Sequence, residues 1–108
     1  MIRTLIVALL LTAASLAAQN ADNGKRQFVK LGCYTCHGYQ GQGGSAGAKL
    51  APRPISATAL IAYVRHPAGS MPPFTEKVVS DQDLRDIQAF LAGIPAPPPA
   101  NSIPLLNQ

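Results

Sequence analysis

Outside the seven residues Gly32 to Gly38 this chain of 108 residues has no cysteine, and it has no tryptophan anywhere. The two cysteines it does have, Cys33 and Cys36, enclose two residues, so a disulfide between them would staple nothing of consequence. Charge is sparse as well. Asp, Glu, Lys and Arg make up 13% of the chain, with no basic run and no interleaved aromatics, which argues against a nucleic-acid partner. No apolar stretch reaches the roughly 20 residues of a spanning helix. The longest, Leu5 to Leu11, gives way to small residues and then to Gln19 and Asn20.

What is present fits one small domain. Residues are 47% apolar, with 9 Gly and 10 Pro, which suffices for a single modest core. The start reads as a secretory signal peptide over residues 1–17: Arg3, a short apolar run, then the small-x-small triplet Ser15-Leu16-Ala17. An uncleaved anchor is the weaker alternative. Removing Arg3 with this segment lowers the formal net charge by one from +4 and leaves every acidic residue in place. The expected product is an exported, periplasmic protein with a domain over 18–94 and a proline-rich tail over 95–108.

Export makes the spacing Cys33-Tyr34-Thr35-Cys36-His37 informative. A thioredoxin-like pair needs a strand running into the motif, and the residues before Cys33 look helical. A structural zinc site needs four ligands, and after Cys33, Cys36 and His37 the only other histidine is His66, with no second cysteine pair. C-x-x-C-H as a c-type haem attachment site accounts for both cysteines and the histidine, with Tyr34 and Thr35 as the variable pair between them. Two thiols add to the two vinyl groups on one edge of the porphyrin, and the adjacent imidazole reaches the iron.

Three helices are expected around this motif. The first spans Ala21 to Leu31, capped by Asn20, Asp22 or Asn23, and stopped by Gly32. A second runs from Ser56 to His66, with Leu60, Ile61 and Val64 apolar and Pro67 ending it. The third opens at Ser80, carries Asp81 and Asp83 in its first turn where the helix dipole favours them, and stops at Gly93 and Pro95. Leu84, Ile87, Phe90, Leu91 and Ile94 share its inner face. "QGQGG" after the motif lacks the ending of a phosphate loop and reads as a flexible surface loop.

From roughly Asn20 to Ile94 the chain resembles the class I cytochromes c. The resemblance implies an all-α class I fold, three to four short helices around one covalent haem c held by Cys33 and Cys36, with the first and last helices crossing closely where Gly24 and Phe28 sit one turn apart. His37 and Met71 would be the axial ligands. Met71 lies in "GSMPPF", where two prolines restrict the backbone as a fixed thioether requires, and it is the sole methionine once the leader is gone. His66, at a helix C-terminus, is the competing ligand. The resemblance also implies that a carbonyl at Pro52 accepts the proximal imidazole N–H, raising its basicity. Arg53, Lys49 and Tyr63 are candidates to pair with the haem propionates.

The function so implied is the carriage of one electron at a time between redox proteins such as a periplasmic dehydrogenase, a terminal oxidase or another cytochrome, with no bond chemistry on a substrate. Lys25, Lys30, Lys49 and Lys77 could steer an acidic partner. Two alternatives stand beside a diffusible shuttle. The protein could be a fixed cytochrome subunit of a dehydrogenase complex, with the tail as an attachment arm, or a peroxidase or gas-binding protein with an open iron. The tail itself, "PAPPPANSIPLLNQ", is expected to be extended, with Ile103, Leu105 and Leu106 as an apolar tip.

Overall fold

The computed structural model describes residues 19–108; the expected signal segment, residues 1–17, lies outside the described residues. Four α-helices and no strand occur among the described residues: α1 (Ala21–Lys30), α2 (Tyr34–His37), α3 (Ala57–Arg65) and α4 (Asp81–Ala92). None is long and apolar enough to cross a membrane.

Helix ends follow local chemistry. Asn20 caps α1 by accepting the Asn23 amide, Ser56 caps α3 through the Ala59 amide, and Ser80 caps α4 through the Asp83 amide. Each bond satisfies an N–H that would otherwise have no intrahelical partner, a contribution of about 1 kcal/mol. At the far end of α1, Gly32 takes φ +76°, the left-handed backbone that lets the Cys33 amide reach back to the Phe28 carbonyl at 3.1 Å. The turn into the cysteine motif is thereby fixed by the helix before it.

The core forms where α1 crosses α4, with α3 packed against α4. Phe28, Ala51, Leu60, Val64, Val79, Leu84, Ile87 and Leu91 are buried. Phe28 and Leu91 are the largest fully buried side chains, each stabilising by about 1.5–3 kcal/mol relative to exposure. Phe90 is half-buried and meets Phe28 with ring centroids 5.6 Å apart and planes tilted by 57°. Helical periodicity thus predicts Leu84, Ile87 and Leu91 correctly as core, whereas Phe90 and Ile94 lie at its margin.

Gly24 permits the crossing. A β-carbon there would fall against the Asp86 carbonyl and 2.8 Å from the Ile87 nitrogen, both backbone atoms that cannot step aside. Alongside, Asp86 is buried yet fully bonded. Its carboxylate accepts from the Asn20 amide at 2.9 Å, Asn23 Nδ2 at 2.8 Å and Gln82 Nε2 at 3.0 Å. Asn23 Nδ2 also reaches Asp83 at 2.8 Å, so one asparagine of α1 ties two carboxylates of α4. Burial pushes the Asp86 carboxyl pKa up, but the three donors outweigh it and hold the group below its ordinary value.

Two segments differ from the sequence expectation. The glycine-rich stretch after the motif is tied down: the Gly41 carbonyl accepts both the Leu50 and Ala51 amides, at 2.7 and 3.0 Å, and the Gly43 amide donates to His37. Small residues let this backbone fold onto itself. In the tail, single 3-10 turns form at Ala100–Ser102 and Pro104–Leu106. Asn107 Nδ2 donates to the Ala100 and Ile103 carbonyls, and Ser102 Oγ to Pro99. Side chains supply there the bonds that an extended path would leave to water.

Candidate haem site

The cysteines share one helical turn. Cys33 is the N-cap residue of α2 and Cys36 lies within it, and both are free thiols. Cys33 is half-buried and packs against the core, while Cys36 is exposed. Burial pushes the Cys33 thiol pKa above its ordinary value, and a backbone hydrogen bond offsets only part of that. The segment is short because Gly38 closes it, its amide returning to the Tyr34 carbonyl at 2.8 Å. No α-helix was expected between the cysteines; the Gly32 turn and the Gly38 stop explain how one forms from so few residues.

His37 ends α2 with its ring already oriented. Its Nδ1 lies 2.7 Å from the Ala48 carbonyl oxygen. A carbonyl can only accept, so Nδ1 carries the proton and Nε2 keeps its lone pair for a metal. The bond differs from the expectation at one point: the partner is Ala48, not Pro52. The loop reaches the imidazole four residues earlier because Gly47 lies flat on the motif. A β-carbon at Gly47 would stand 2.7 Å from the Cys36 carbonyl oxygen and 3.0 Å from the Cys36 β-carbon.

The other expected site residues are distributed as follows. Met71 is half-buried and packs on the core cluster, as Cys33 does. His66 is the exposed C-cap of α3. Pro52 is half-buried, and Arg53 is exposed beside it. These two residues, Lys49, Leu50 and Ala51 line an open cleft of about 230 Å³, which sets two cations on one rim. Tyr63 stands apart from them: it is exposed, and its hydroxyl accepts the Ala68 amide at 3.4 Å, within the loop that leads to Met71.

Sequence reasoning missed two polar residues of the frame. Asp86 gave no signal because a charged residue beside Arg85 on an amphipathic helix reads as solvated surface. Arg65 was passed over for the same reason, yet its guanidinium donates to Asp81 at 2.6 Å and to the Phe74 carbonyl at 3.0 Å. Tyr34, between the cysteines, stacks on Tyr39 with centroids 4.3 Å apart.

The chemistry of this donor set suits haem and does not suit a bare ion. Among the described residues no three His, Cys, Asp or Glu side chains gather as a metal-ion cage. Two free thiols on one helical turn, next to an imidazole whose Nε2 alone is available, match instead a porphyrin edge with its iron. A small helical domain presenting that motif on a short helix is a c-type cytochrome. The chain belongs to the family described as cytochrome C oxidase, cbb3-type, subunit III, whose sequence pattern matches residues 19–91. No curated protein and no solved structure matches the chain. Family membership makes haem c its covalently bound cofactor, attached through the two cysteines, and electron transfer its chemistry.

Proposed function

We propose that the protein is a single-haem electron carrier of an exported compartment, with His37 and Met71 as axial ligands and residues 1–17 as the signal that directs export. The observation that supports this reading is the His37 ring, whose Nδ1 lies 2.7 Å from the Ala48 carbonyl, so that the proton sits on Nδ1 and Nε2 keeps its lone pair for a metal. Haem supplies a reversible one-electron couple at iron. The chain's own residues do the rest.

Cys33 and Cys36 hold the porphyrin edge. The Ala48 carbonyl raises the basicity of His37 and favours the oxidised iron. Met71, half-buried against the same core as Cys33, supplies the thioether. A sulfur ligand raises the potential relative to a second imidazole. His66 ranks behind it, being exposed on the rim of α3. Lys49 and Arg53 on the open cleft are the candidates to neutralise the propionates, and Tyr63, engaged with Ala68, is the weaker one. Lys25, Lys30, Lys49 and Lys77 are all exposed, as steering an acidic redox partner requires.

A second reading has its own support. The matched family is named for an oxidase subunit, so the chain would serve as a cytochrome subunit of a respiratory or dehydrogenase complex instead of diffusing freely. Co-purification of a further subunit with the tagged protein selects this reading.

The test is the optical spectrum of the oxidised protein, made in a host that attaches c-type haem, with Met71→Ala as control. The expected result is a weak long-wavelength sulfur-to-iron charge-transfer band that the substitution abolishes. High-spin iron without the band would make the site open and turn the reading toward catalysis or gas binding. Low-spin iron without it would move the ligand to His66.

A further inference from the structure

Arg65 is the last residue of α3, and its side chain is only 13% exposed. Nη1 donates to the Phe74 carbonyl at 3.0 Å, and Nη2 donates to the Asp81 carboxylate at 2.6 Å. The Phe74 amide in turn donates to the Val64 carbonyl at 3.0 Å. Both backbone groups of Phe74 are therefore held by consecutive residues at the end of α3. The remaining guanidinium nitrogen, Nε, is buried and has no partner among the described residues.

The residue between this anchor and the site is not an ordinary loop. Met71 connects to Phe74 through Pro72 and Pro73, which have fixed φ and no N–H to fray. Fixing Phe74 therefore fixes the downstream end of a stiff arm that bears the thioether. On the upstream side the connection from α3 runs through His66, Pro67, Ala68, Gly69 and Ser70, where the Ala68 amide makes only a long 3.4 Å bond to Tyr63. The firm attachment of Met71 lies downstream, at Phe74, Arg65 and Asp81.

We infer that Arg65, clamped between the Phe74 carbonyl and the Asp81 carboxylate, is a positioning residue that keeps Met71 on the haem iron and sets how readily an outside ligand displaces it. The inference rests on Met71 as sixth ligand, as proposed above. Asp81 is its second half: as the first residue of α4 its carboxylate is favoured by the helix dipole, so it fixes the guanidinium to the end of a long helix. The clamp thus joins α3, the methionine arm and α4 at one point.

The experiment uses the intact haem protein and its variants Arg65→Gln, Arg65→Lys and Asp81→Asn. Imidazole binding to the ferric iron is titrated optically, and amide hydrogen exchange is followed at Phe74 and Leu91. Losing a charge-assisted hydrogen bond is expected to raise imidazole affinity about tenfold in Arg65→Gln. Arg65→Lys, which keeps the charge and loses the forked geometry, should fall between it and the parent. Exchange at Phe74 should accelerate more than at Leu91.

A lowered melting temperature with imidazole affinity unchanged, and with Phe74 and Leu91 exchanging in step, would reduce Arg65 to an ordinary structural ion pair and overturn the inference. Should Arg65→Gln fail to fold, Asp81→Asn loosens only the carboxylate arm of the clamp while the Phe74 bond stays, and imidazole affinity is expected to rise by less than about tenfold, no rise overturning the inference. If the parent protein itself lacks the sulfur-to-iron band, methionine ligation fails and the inference fails with it. If the band is present and the variants leave imidazole affinity unmoved, only the inference fails.

Discussion

Gly24 of α1 lies so close to the Asp86 carbonyl of α4 that no β-carbon fits between the two helices. The contact is backbone against backbone, so relief would need the helices to part. Gly24→Ala improves helix propensity by about 1 kcal/mol, yet the crossing would have to open. The expected balance is a loss of about 1–3 kcal/mol, the usual penalty of overpacking, read as a lower denaturant midpoint of the haem protein. A midpoint equal to or above the parent's would show that the crossing yields.

Asp86 makes stability depend on acid. Its folded pKa lies below the ordinary value because three donors favour the charged form. The unfolded chain therefore binds the proton more readily. The contribution is fully present above the ordinary carboxylate range, near pH 4, and is lost as pH falls through the lowered folded value. Asp86→Asn should flatten that part of the pH–stability curve. At neutral pH it should destabilise by about 1–3 kcal/mol, since an amide NH₂ would face donors. An unchanged acid limb would assign the dependence to other groups.

The His37–Ala48 bond should tune the redox potential. Gly47→Ala places a methyl against the Cys36 backbone, which lifts the loop and lengthens or breaks the bond at His37 Nδ1. A less basic imidazole favours the ferric iron less. The potential should therefore rise, by up to about 60 mV for a tenfold shift in a one-electron equilibrium. Protein-film voltammetry gives the value, and a potential that falls or stays put would break the link between this carbonyl and the iron.

The tail is expected to be dispensable for the fold. Its hydrogen bonds described here stay within residues 99–107, and Leu105 and Leu106 are largely exposed. Deleting residues 98–108 should leave the melting temperature within about 2 °C of the parent, less than the shift that 1 kcal/mol produces in a domain this size. If the tail is an attachment arm, the same deletion should slow electron transfer with the partner complex or abolish co-purification. A large drop in melting temperature would instead place the apolar tip on the domain.

Much of this architecture was legible in the chain because it rests on local signals. The cap at Ser80, the stops at Gly32 and Gly93, and the apolar face of α4 each depend on neighbours in sequence, and the helices begin and end within a residue of where the chain puts them, with Asn20 chosen from three candidate caps of α1. What could not be read was set at a distance. The imidazole partner moved from Pro52 to Ala48 because the packing of Gly47 on Cys36 decides where the loop arrives. Asp86 is buried because a helix sixty residues upstream brings Asn20 and Asn23 to it. Val79 and Ala51 joined the core from loops with no periodicity to announce them.

Among the described residues Phe28 and Leu91 are the largest side chains shut away from water. So few positions hold the polypeptide together that the bulk of its exterior is free to change without endangering the interior. A covalent pigment fixed by one short helix lightens the burden further, since the chain need not recognise its cofactor with an extensive pocket. Such a domain can take a different pattern of surface charge while its interior stays the same.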